Sequence, residues 1–184
     1  MAKIMNFQMK NIKTLTGRKG YGCTASLYLD GKRIGTYADY ADGGPEDVEY
    51  ISKEAEEAMM KTIIAYAKKV PNKFVINLYQ KRPEQYKKEC EWFRKTHPYI
   101  PEEDITKETM ASNSIVYIVS GFLKLYDAER QFKKFSKKGY IAISVEGNQI
   151  FAYPPNYSKE QVMAEAGNGN VYFSLDDFNI MQEV

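Results

Sequence analysis

The chain has 184 residues, a formal net charge of +2 and 43% hydrophobic residues, so it can bury a real core in one domain, or in one domain with a large insertion. With 27% charged residues it reads as a soluble protein. No run approaches the roughly 18 apolar residues needed to span a bilayer, and the opening MAKIMNFQMKNIK lacks the apolar region of a signal peptide, so a cytoplasmic location is expected.

In chain order, Met5, Phe7 and Met9 alternate with polar residues and predict a first strand reaching about Thr16. GRKGYG, Gly17 to Gly22, is a loop. A second strand follows from Gly22 to Leu29, and Asp30-Gly31 is the preferred pair for a two-residue type I′ turn. With that turn, Leu27 faces Ile34, Ala25 faces Thr36 and Cys23 faces Ala38, which keeps one apolar face across the hairpin. Ser52 caps a helix to about Lys69, with Ala55, Ala58, Met59, Thr62, Ile63 and Tyr66 on one face. Pro71 stops it. Phe74, Ile76 and Leu78 alternate and read as a further strand. Pro83 opens a charged helix with a stripe of Tyr86, Cys90, Phe93 and His97. Residues 98–112 are a linker or short helix, and 114–136 form a long helix closed by Gly139, whose β-branched start also suits a strand. A second hairpin follows, YIAISV and QIFAY around a turn at Gly147-Asn148, with Val145 facing Ile150 and Ile143 facing Ala152. Ser158 and Gln161 make a capping box for a short helix, and Val171 to Leu175 is a last strand.

The fold class is therefore α+β: antiparallel hairpins packed with helices in one domain over 1–184. The order hairpin, helix, strand occurs at 22–79 and again at 140–175. This allows two ββαβ-like units joined by a helical segment, 83–138.

Charge is segregated. Asp39 to Glu57 holds eight acids and one base, whereas Lys81 to Lys95 and Lys124 to Lys138 are basic. GRKGYG is not the dinucleotide fingerprint, because a strand rather than a helix N-terminus follows its glycines. Its glycines fit a tight or bulged connection instead. The carboxylates of DYADGGPEDVE do not follow the calcium-loop spacing, and no metal ligand is assigned. One histidine and two scattered cysteines exclude a zinc site of the usual kind. The cysteines read as free thiols and His97 as a packed helix-end residue. No cofactor and no catalytic residue are assigned, and the protein is expected not to be an enzyme.

From Lys10 to Gly44, KNIKTLTGRKGYGCTASLYLDGKRIGTYADYADGG resembles the opening of small proteins carried by bacteriophages and mobile elements of gut bacteria. The likeness lies in the strand, the G-x-G loop, the LYLDGK-IG segment and the glycine-rich end. It implies an accessory protein acting against a host system. In size, charge segregation and lack of catalytic motifs the chain resembles anti-CRISPR inhibitors of CRISPR effector nucleases, which work by binding. The resemblance implies a protein partner, a CRISPR effector nuclease with its guide RNA in the bacterial cytoplasm. It also implies that the acidic residues Asp39, Asp42, Glu46, Asp47 and Glu49 meet a basic surface on that partner. The alternative is a small nucleic-acid-binding protein using Lys87, Lys88, Lys133, Lys134, Lys137 and Lys138. No membrane partner is expected, and a homodimer is left open.

Overall fold

The computed structural model describes residues 1–146 and 149–180. It begins with strands β1 (Lys3–Ile4), β2 (Phe7–Gly17), β3 (Gly20–Leu29), β4 (Lys32–Asp39) and β5 (Asp47–Tyr50). Helices α1 (Lys53–Lys69), α2 (Lys73–Lys81), α3 (Pro83–Thr96), α4 (Lys107–Met110) and α5 (Ile115–Ser136) follow. The chain ends with β6 (Ala142–Glu146), β7 (Gln149–Tyr153), α6 (Lys159–Ala166), β8 (Asn170–Tyr172) and β9 (Asn179–Ile180). The fold is α+β. The chain divides into a larger unit, Asn6–Val119, and a smaller one built from Met1–Met5 and the chain from Ser120 onward.

In the larger unit β2 to β5 form an antiparallel meander in the order β5-β4-β3-β2. Asp30 and Gly31 both take positive φ, 48° and 77°, as the type I′ turn requires. The turn pairs Leu29 with Lys32 and Tyr28 with Arg33, but a bulge then shifts the register. Leu27 pairs with Gly35, Ala25 with Tyr37 and Cys23 with Asp39, so the expected pairs Leu27–Ile34, Ala25–Thr36 and Cys23–Ala38 are each displaced by one residue. The shift buries Tyr37 instead of Thr36 and Ala38, a gain in apolar area. It also sets Gly35 where a Cβ would stand 2.3 Å from the Glu49 carbonyl oxygen of β5. Leu27 and Ile34 are both core residues as expected. A second bulge lies in β2, where Asn11 adopts a φ of 56° and the register slips between Lys10 and Lys13.

Ser52 caps α1, accepting from the Ala55 amide. The helix buries Ala55, Met59, Thr62, Ile63, Ile64, Tyr66 and Ala67, while Ala58 is exposed. Residues 73–81 are a helix, not the expected strand. Asn72 accepts from the Val75 amide and starts it. The winning pattern is the i, i+4 pair Val75 and Tyr79, and Phe74, counted as a strand residue, is 71% exposed. Tyr79 joins Ile64, Cys90, Phe93, Ile100, Ile105 and Met110 in a core that α2, α3 and α4 close over. Its hydroxyl donates to Glu89 Oε2 at 2.6 Å. With α2 in the strand's place, the order hairpin, helix, strand does not hold at 22–79.

In the smaller unit β6 and β7 pair as expected, Val145 with Ile150 and Ile143 with Ala152. The turn assigned to Gly147-Asn148 lies outside the described residues. Ser158 and Gln161 form the capping box of α6, β8 pairs antiparallel with β6, and β1 pairs parallel with β9. Ala142, Tyr153 and Val162 form one core, and Phe178 stacks on Tyr172 and touches Phe132. Glu129, only 2% exposed, accepts from the Ala2 amide at 2.7 Å and from Lys133 Nζ at 2.7 Å.

Candidate interaction surfaces

The GRKGYG segment is the tip of the β2–β3 hairpin. Gly17 pairs with Gly20, and Arg18-Lys19 make the turn. The segment after β4 folds back onto this tip, where the Lys19 amide donates to the Ala41 carbonyl at 2.7 Å. Two glycines permit the approach. A Cβ on Gly17 would stand 2.2 Å from the Tyr40 carbonyl oxygen, and one on Gly22 would stand 2.0 Å from that of Asp39. The glycines serve backbone packing rather than phosphate binding. Asp39 Oδ1 accepts from the Ala41 amide and Asp42 Oδ1 from the Gly44 amide, each at 2.8 Å. Arg18 Nη2 donates to the Asp42 carbonyl at 3.3 Å.

This braced tip presents two aromatic rings to solvent, Tyr21 at 87% and Tyr40 at 51% exposure. Neither stands out by pattern, because each looks like one more strand tyrosine. The usable signal was the pair Gly17 and Gly22: glycines spaced to admit another backbone imply a second segment on the hairpin.

The five acids expected to act together are divided by a strand that periodicity did not reveal. Asp47 to Tyr50 form β5, and side chains alternate across it. Asp47 and Glu49 are exposed and lie in cross-strand rows with Ala38 and Thr36. Glu46 and Asp39 are half-buried on the opposite, helix-facing side, close enough to Tyr37 that their charge, after burial, pushes its hydroxyl above the usual range. Asp42 stands exposed at the hairpin tip. Among the described residues no three His, Cys, Asp or Glu side chains are grouped to hold a metal ion.

Of the basic residues, Lys87 and Lys88 are exposed on α3, beside the 62% exposed Trp92 on the next turn. Lys133 and Lys134 are exposed on the last turn of α5, Lys137 and Lys138 just beyond it, and Lys133 is paired with Glu129. The two groups belong to different units. His97 ends α3, its ring stacked on Phe93 with centroids 4.3 Å apart and Nδ1 2.8 Å from Thr96 Oγ1. It is the packed helix-end residue expected. Cys23 and Cys90 are free and buried, and burial followed by the Asp39 charge pushes the Cys23 thiol up. Among the described residues no helix is long and apolar enough to cross a membrane.

Comparison with family models, curated proteins and solved structures found no match to this chain.

Proposed function

We propose that this chain is a non-enzymatic inhibitor, carried by a phage or mobile element, that binds a host defence nuclease of the CRISPR-effector type. The observation that carries the reading is the braced hairpin tip, where Tyr21 and Tyr40 stand out beside Arg18 and Asp42. Tyrosine and arginine dominate protein-binding hot spots, since they offer large rigid area with polar ends. Such residues bind best when already held in place, because little entropy is lost on docking. The Lys19–Ala41 bond and the side-chain-free Gly17 and Gly22 hold this tip in place. Asp42 supplies the negative charge that suits a basic, nucleic-acid-reading surface.

The test is co-migration of the purified chain with a guide-loaded effector nuclease of a gut bacterium on size exclusion. The reading expects a complex with the protein component. Binding instead to bare oligonucleotides, with steep salt dependence, would favour the basic-helix alternative.

A further inference from the structure

We infer that the outer face of the larger unit's sheet is a self-complementary docking surface for a second copy of this chain. Two cross-strand rows define it. Lys13, Thr24, Ala38 and Asp47 stand opposite one another across β2, β3, β4 and β5, and Lys10, Ser26, Thr36 and Glu49 form the next row. The β2 rim is therefore basic, the β5 rim acidic, and the floor between them small and uncharged. All of these residues but Lys10, with Tyr40 beside them, line an open concavity of about 610 Å³.

Both bulges build this face. Lys10 and Lys13 are three residues apart and would point to opposite sides of a regular strand. The extra residue at Asn11 returns Lys13 to the side of Lys10. The bulge in β4 likewise turns Thr36 and Ala38 outward.

The rims cannot satisfy each other within one chain. Three strand spacings of about 4.8 Å separate them by roughly 14 Å. Among the described residues none of Lys10, Lys13, Asp47 and Glu49 forms an ion pair, although Lys10 Nζ lies 4.3 Å over the Tyr28 ring. A two-fold axis parallel to the strands, between β3 and β4, solves this. It lays the β5 of one copy over the β2 of the other. Asp47 then meets Lys13 and Glu49 meets Lys10, each contact made twice, in the aligned geometry of packed sheets. Small floor residues leave the lysine and carboxylate ends free to meet across a sheet separation of about 10 Å. The contacts are a few solvent-exposed ion pairs over a floor of small residues, each worth little, so association is expected near 0.1–1 mM chain, a ΔG of about −4 to −5.5 kcal/mol by the affinity relation.

The deciding experiment is sedimentation equilibrium up to about 1 mM chain, at ionic strengths of about 10 mM and about 1 M, where the Debye length falls from about 30 Å to about 3 Å. The expected mass rises above the monomer's 21.2 kDa at low salt and returns to it at high salt. The reversals K10E/K13E and D47K/E49K should each remain monomeric, and their equimolar mixture should recover the dimer. A wild type that stays monomeric at low salt would overturn the inference. So would reversals that associate like the wild type, or a mixture that fails to pair. Should a reversal unfold, as judged by circular dichroism, the wild-type salt series decides alone.

Discussion

The Lys19 amide donates to the Ala41 carbonyl at 2.7 Å, tying the β2–β3 turn to the segment that leaves β4. The bond fixes Tyr40 beside the hairpin that carries Tyr21, and it closes only because neither Gly17 nor Gly22 carries a side chain.

Gly22→Ala should therefore destabilise the larger unit. Its Cβ would stand 2.0 Å from the Asp39 carbonyl oxygen, and backbone must move to relieve the clash. The expected cost is about 1–3 kcal/mol, read as a lower urea midpoint. Gly31→Ala is strained by its positive φ but meets no atom within 4 Å, so it should leave the tip's binding unchanged.

Leu27→Ala should cost about 2–5 kcal/mol by chemical denaturation, because the side chain is fully buried under the sheet. A loss under about 1 kcal/mol would contradict its place in the core.

Hairpins were readable where turn chemistry fixes them. Asp30-Gly31 located the first, and the β6–β7 pairing followed from its alternation. Bulges are not readable, because an extra residue follows from what lies across the sheet: Gly35 is placed by β5, whose four residues alternate exposed and half-buried but are too few to stand out as a strand. The same short strand scattered the acidic residues that the linear sequence groups together. For α2 a local period of two in Phe74, Ile76 and Leu78 competed with the cap at Asn72, and the burial of Tyr79 against Met110 and Glu89 decided for the helix.

Burial alone would raise the Glu129 carboxyl pKa. The Lys133 ammonium, the Ala2 amide and the Met1 ammonium outweigh that and hold it below its ordinary value. A depressed carboxyl pKa contributes stability above the unfolded value, about 4.3, and that contribution is lost as pH falls through the folded value. Glu129→Gln should cost about 1–3 kcal/mol at neutral pH. It should also flatten the fall in stability below about pH 4.3. An unchanged acid limb in the variant would refute this role.

Calcium or magnesium should leave the melting temperature of the wild type unmoved, since β5 sends Asp47 and Glu49 to one side and Glu46 to the other. A metal-dependent rise that disappears in a variant neutralised at Asp42, Glu46 and Asp47 would restore the acidic segment as a cation site.

The most direct measurement of the inhibitor reading is target cleavage by a guide-loaded CRISPR effector nuclease, titrated with the wild type and with Tyr21→Ala/Tyr40→Ala. Both tyrosines are exposed, so the variant should melt like the wild type. The reading predicts that wild type suppresses cleavage and that the variant needs at least roughly 30-fold more protein, the loss of about 2 kcal/mol expected for a hot spot. Cleavage untouched by the wild type, or suppressed equally by both proteins, would contradict it.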